Sequence, residues 1–238
     1  MRTFQVFTLI VLLFLGFSVA GEKAGEVVKK QGRVKLFKEG ALKGESIKTV
    51  PVDIHVKDIL KTSYSSMAFV KLLGVNKIVL MENSVLYVDG IDRVNFEGGR
   101  AIFQIRKREE GKGIKVRVKS VIIGIKGTKF MVSSEGKRIG IFLKEGNLTV
   151  RNMVGDFIRY KKKEEEEFEE FRKEIERGIE TEREEFEKFK RETEKEFKEF
   201  VKEFELKSGS AVVIDGNEVR DIPIPQEVEE EFKLLDMF

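Results

Sequence analysis

A mainly β fold is what this sequence predicts: a short-stranded β-roll or β-solenoid, then a long charged α-helical arm, then a C-terminal hairpin with a short helix. Three observations predict it. Between residues 21 and 155, runs of four to six alternating or apolar residues are separated by Gly-containing turns. Between residues 156 and 207, apolar residues recur at steps of three and four. Charge divides the same way: residues 21–160 carry a net +13, residues 161–207 a net −5 and residues 208–238 a net −6. A chain of 238 residues holds one domain, or one domain plus an extension.

The first twenty residues read as an address. Arg2 precedes an apolar run, Val6 to Phe17, and Ser18-Val19-Ala20 puts small residues before Gly21. That is the layout of a secretory signal peptide cut after Ala20. The run is shorter than the ~20 residues a membrane-spanning helix needs. The expectation is a mature chain from Gly21 in the periplasm or outside the cell, with no transmembrane span after cleavage. An inner-membrane protein anchored by an uncleaved N-terminus is the alternative. The Glu, Lys, Val, Ile and Phe usage, with little Gln and Asn, fits a thermophilic source.

The strands follow in order. Residues 27–37 place Val34 and Leu36 on one face, with Gly32 as a turn. Residues 77–80 and 84–88 form a pair around Glu82-Asn83, and Asp89-Gly90 closes the next turn. In residues 101–106, Ile102 lies away from Phe103 and Ile105; in residues 114–118, Ile114, Val116 and Val118 point in while Lys115 and Arg117 point out. Strands are also expected at 121–125, 129–132, 139–143 and 147–150, with turns at Gly111-Lys112-Gly113, Glu135-Gly136 and Glu145-Gly146. No long helical period interrupts them, which argues against an α/β nucleotide-binding fold.

Within this region one segment is distinctive: Gly124, Ile125, Lys126, Gly127, Thr128 and Phe130, inside VRVKSVIIGIKGTKFMV at 116–132. With DILKTSYSSMAFVKL at 58–72, IVLMENSVLYV at 78–88 and IFLKEGNLTV at 141–150, it resembles the FecR-type periplasmic domain over about residues 25–152. Lys126 stands where that family usually has Arg. The resemblance implies short stacked strands and a non-enzymatic role in envelope signalling. The best-known members pass an outside signal to a cytoplasmic anti-sigma segment. Five residues ahead of the apolar run leave no room for such a segment, so direct sigma-factor control is not expected. Read physically, Gly124 and Gly127 permit close approach or positive φ, Thr128 satisfies a neighbouring carbonyl, and Phe130 and Val132 fill the core. The segment lacks the spacing and following helix of a phosphate-binding loop.

Candidate chemistry is sparse. Without cysteine there are no disulfides, thiol nucleophiles or Cys-based metal sites. One histidine, His55, excludes multi-histidine zinc sites, and the lack of cysteine makes a Cys-His set unavailable. His55 sits between apolar residues as a strand residue. Asp89 and Asp92 are turn formers, and Asn147-Leu148-Thr149 is expected to be unmodified. No catalytic, cofactor or metal residues are assigned, and an enzyme is not expected.

The acidic segment reads as one helix from 156 to 207, capped by Asp156. Its stripe runs Phe168, Phe171, Ile175, Ile179, Glu182, Phe186, Phe189, Thr193, Phe197, Phe200, Phe204, an 18-residue period that fits five turns. FEEFRKEIE at 168–176 recurs as FEKFKRETE at 186–194, an internal repeat. A straight helix over 157–207 would span about 75 Å at ~1.5 Å per residue, longer than the roughly 35–40 Å body. It therefore overhangs or bends at Gly178. The distal face, Phe186, Phe189, Phe197, Phe200 and Phe204, is the candidate partner surface. After Ser208-Gly209-Ser210, residues 211–214 and 218–221 form a hairpin around Asp215-Gly216-Asn217. Residues 226–238 form an amphipathic helix with Val228, Phe232 and Leu235 on one side.

Three functions follow as expectations. The first is an envelope scaffold whose arm binds an envelope protein or a second copy. The second is a structural, self-associating envelope component. The third is a binder of an anionic wall or surface polymer through the basic block, with no specific nucleic acid as partner.

Overall fold

The computed structural model describes residues 21–106, 114–160 and 198–238. The first of these stretches holds β1 (Lys23–Gln31), β2 (Val34–Phe37), β3 (Glu45–Ser46), β4 (Val52–His55), β5 (Ile59–Thr62), β6 (Met67–Leu72), β7 (Asn76–Leu80), β8 (Val85–Gly90) and β9 (Arg93–Ile105). The second holds β10 (Lys115–Val118), β11 (Val121–Glu135), β12 (Arg138–Asn152) and β13 (Phe157–Tyr160). The third holds β14 (Lys198–Val201), β15 (Glu203–Lys207), β16 (Ser210–Asp215), β17 (Glu218–Ile222), a helix α1 (Gln226–Glu231) and a 3-10 turn (Phe232–Met237).

The strands form one connected sheet that winds around an apolar interior. Alternation in the sequence decides which side chains enter. On β10, Val116 and Val118 are buried while Lys115 and Arg117 are exposed, because successive residues of a strand point to opposite faces. Ile102 leaves the interior while Phe103 and Ile105 enter it, as the pattern predicts. Phe96, Phe103 and Phe130 occupy the centre. Phe103 stacks on Phe130 at 4.9 Å, and Phe96 meets Phe103 edge-on at 6.4 Å. All ladders but β9–β10 and β13–β17 are antiparallel.

Two expected hairpin halves are single strands. The runs at 121–125 and 129–132 are both in β11, and those at 139–143 and 147–150 are both in β12. Each long strand changes partner halfway. β11 pairs with β10 over Val121–Gly124 and with β9 over Thr128–Ser134. β12 pairs with β16 over Arg138–Leu143 and with β15 over Asn147–Arg151. The register slips between Lys126 and Phe130, so a bulge bends both strands there. Glu145-Gly146 is therefore no turn but the β12 side of that bend. The turn at Gly136 stands, with φ +52.

The helix expected over 156–207 is overturned. Residues 157–160, 198–201 and 203–207 are strands. Tyr160 sits opposite Lys198 in the β13–β14 ladder. A 75 Å helix would hold its ends far apart, whereas this ladder brings both ends of the intervening stretch to neighbouring strands. Asp156 leads into a strand and caps no helix. Residues 161–197, which include the repeat, Gly178 and most of the stripe, lie outside the described residues.

A second apolar layer covers the sheet's outer face. Phe69, Val79, Ile102, Met131, Phe142 and Ala211 point outward, and α1 with the following turn lies over them through Val228, Phe232 and Leu235. The C-terminal amphipathic pattern thus finds its apolar partner within the chain, joined to β17 through Pro223 and Pro225.

Candidate functional site

The distinctive segment lies at the bend of β11. Gly127 has φ +67, which a residue with a Cβ adopts at a cost. Gly124 has an ordinary backbone, and an added Cβ would meet Thr149 at a normal 3.6 Å; the expected close approach is instead at Gly146. There φ is +94, and an added Cβ would lie 2.3 Å from the Gly127 carbonyl oxygen and 2.6 Å from Thr128 Cγ2. Ile125 and Phe130 enter the interior. The backbone of Lys126 pairs with Asn147. Thr128 is buried, but its Oγ1 has no hydrogen-bond partner among the described residues, so the expected Thr128–carbonyl bond is absent. The segment shapes a strand bend. The signal missed in the sequence was Gly146: a glycine after Glu145 reads as a turn residue until the long ladder is seen.

The one histidine belongs to a polar turn. Asp58, 2% exposed, accepts a hydrogen bond from the His55 backbone N–H at 2.9 Å and from Lys38 Nζ at 2.9 Å. Lys38 Nζ also lies 3.2 Å from His55 Nδ1. Asp58 closes the turn from β4 to β5, where Lys57 has φ +74. Lys57 Nζ reaches the Asp89 carboxylate and carbonyl, each at 2.9 Å. That hydrogen bond holds the Asp89 carboxyl below its ordinary range. Arg93 lies near both Asp89 and Asp92. Asp58 and, through Lys57, Asp89 of β8 hold the turn between β4 and β5, and Asp92 lies in the turn between β8 and β9. Among the described residues, no three His, Asp or Glu side chains gather as a metal site.

Of the candidate partner face, Phe200 and Phe204 are among the described residues, and these two part. Phe200, on β14, is 66% exposed, whereas Phe204, on β15, is 7% exposed. Phe204 packs edge-on against Phe157 at 5.3 Å, with the Arg159 guanidinium 4.8 Å from its ring. A helix would align residues four apart; separate strands divide them. The run Glu203-Phe204-Glu205-Leu206-Lys207 has strand period, and Val150 and Leu148 of β12 meet Phe204 and Leu206. Phe186, Phe189 and Phe197 lie outside the described residues.

The C-terminal strap is held at its rim by charge. Arg100 pairs with Glu231, and Lys144 pairs with Glu229 at 3.1 Å and lies over the Phe232 ring at 5.2 Å. Lys77 donates to the Leu235 carbonyl at 3.3 Å. Burial pushes the Glu231 carboxyl up, against the opposing pull of Arg100.

Residues 58–149 match the FecR protein family. Over these residues the chain is similar to a FecR domain. The match runs from Asp58, at the turn before β5, to Thr149 in β12, and so contains the bend at Gly127 and Gly146. It is shorter than the resemblance over 25–152, yet the matched stretch does not close its core alone. Val27 and Ile54 before it, and Phe157, Leu206 and Val212 after it, are in the same interior cluster. Two crystal structures of a candidate anti-sigma factor from Parabacteroides distasonis ATCC 8503 are similar to the chain at 14% identity and a TM-score of 0.46. They cover 74% of this chain, and the chain spans 63% and 64% of theirs, under two thirds. No curated protein matches the chain.

Proposed function

We propose that this chain is a non-enzymatic signalling scaffold of the cell envelope. It is exported by residues 1–20, with cleavage after Ala20, and presents its β body to an envelope protein. The observation that carries this reading is the FecR match over residues 58–149. The placement of the distinctive residues supports it: they shape a strand bend and assemble no reacting groups. The signal passes through a membrane protein partner. No helix among the described residues is long and apolar enough to cross a membrane.

The test is a gene deletion in the source organism, complemented by the full chain or by a form beginning at Gly21 without the leader. Transcripts and wall composition are measured together. A restricted set of transcripts should change on deletion and recover only with the exported form. Recovery with the leaderless form would refute envelope action. Unchanged transcripts with an altered wall would refute signalling in favour of a structural role. N-terminal sequencing of the exported protein should begin at Gly21, and an intact Met1 in the membrane fraction would establish the anchored form instead.

A further inference from the structure

The stretch from β2 to β4 forms a cleft of about 850 Å³ at one end of the β body. Leu36, Ile47 and Val52 supply its apolar lining, and Lys35, Lys43 and Lys48 its cations. Lys38 also lines it but is already paired with Asp58. Among the described residues, Lys35, Lys43 and Lys48 are exposed and make no ion pair, and Glu45 is the one acid in the lining. The ladder sharpens the imbalance: Lys35 stands directly opposite Lys61 in the β2–β5 register, where like charges repel. Two strand edges border the same place. Among the described residues, β3 pairs only with β2, and β4 only with β1.

The geometry points to this cleft as a docking site for an acidic peptide segment in extended conformation, added as a strand. Carboxylates of the peptide meet Lys35, Lys43 and Lys48, and an apolar side chain on its other face meets the half-buried Val52 above the core residues Leu36 and Ile47. An open strand edge offers main-chain hydrogen bonds to such a segment, and alternation delivers its two kinds of side chain to two surfaces. A phosphate polymer would use the amines and leave the open edges of β3 and β4 without a role. A lipid surface needs a protruding apolar face, and here Leu36 and Ile47 are recessed, at 4% and 7% exposure. Edge lysines also guard sheets against aggregation; guarding needs charge alone, whereas docking needs the apolar lining as well. The inference names the kind of segment an envelope partner would present, and so rests on the protein-binding reading above.

The test uses the purified exported chain and a fluorescein-labelled peptide of alternating Glu and Val, read by fluorescence anisotropy. An all-Glu peptide of equal length, polyphosphate and phosphatidylglycerol vesicles are the comparison ligands. The Lys35→Glu/Lys43→Glu/Lys48→Glu variant is compared with Lys115→Glu/Arg117→Glu/Lys137→Glu, which makes the same charge change elsewhere. Urea midpoints confirm that both variants fold. The cleft triple should weaken Glu-Val binding by at least about tenfold, as expected for three exposed ion pairs acting together. The distal triple should leave most of the binding intact. Equal loss in both variants, or equal affinity for the all-Glu peptide, would reduce the effect to net charge and overturn the site. Tighter binding of polyphosphate or vesicles through the same lysines would also overturn it, in favour of a polymer or a membrane. Absence of peptide binding beside an intact transcript response removes the cleft and leaves the signalling reading standing.

Discussion

Replacing Gly146 with alanine tests the bend that joins the two halves of β11 and β12. Two costs add. At φ +94, a residue with a Cβ loses about 1–2 kcal/mol to local sterics. The new Cβ would also fall 2.3 Å from the Gly127 carbonyl oxygen and 3.0 Å from Thr128 Cα. Both are backbone atoms that no side-chain rotation can move. The bulge must open, and overpacking of this kind costs about 1–3 kcal/mol. Gly136→Ala is the internal control. It has φ +52 and nothing within 4 Å of the added Cβ, so it carries the first cost alone. Urea denaturation followed by circular dichroism should place Gly146→Ala about 2–5 kcal/mol below wild type and Gly136→Ala about 1 kcal/mol below it. Equal losses in the two variants would refute the close approach and reduce Gly146 to an ordinary turn glycine.

Two further predictions concern polar groups, one buried and one half-buried. Thr128→Val removes a buried hydroxyl with no partner among the described residues. It should leave stability unchanged or raise it by up to about 2 kcal/mol in the same urea assay; a loss would reveal a hydrogen bond to Oγ1. Glu231 tests the strap through pH. Its raised pKa means that the folded state binds more protons than the unfolded state between the ordinary Glu value and the raised one. Its unfavourable contribution therefore grows as pH rises through that window and is complete above it. Glu231→Gln should raise the denaturation midpoint at pH 7 and lose that advantage below about pH 4. A lower midpoint at pH 7 would show that the Arg100 pair outweighs burial.

Much of the β body was legible because strand faces are a local property. The alternation of Ile114 to Val118 and the opposite pointing of Ile102 and Phe103 were readable from period two, since every second side chain meets the same environment. The hairpin of β16 and β17 was marked by Asp215-Gly216-Asn217, and the buried side of the C-terminal strap by Val228, Phe232 and Leu235. The family resemblance was carried by residues that shape the bend, which is why it could be seen without knowing their partners.

The β character of the body, the faces of its strands and the division of charge are written locally in the residues, whereas the helical arm that was part of the expected fold class is not what residues 157–160 and 198–207 form. Tertiary structure decided which of two periods Phe200 and Phe204 obey. Phe197, Phe200 and Phe204 continue a helical stripe, while Phe204 and Leu206 also alternate as a strand. Pairing with Val150 and Leu148 gives the strand a buried ladder, a gain that an exposed helix at the same residues lacks. Tertiary structure likewise made Gly146 a bend, because only the full length of β12 shows the ladder continuing past it. It also brought Lys35, Lys43 and Lys48 to one cleft. Charge along a sequence is a sum, but its effect depends on distance, and distance between these lysines is set by how β2, β3 and β4 fold together.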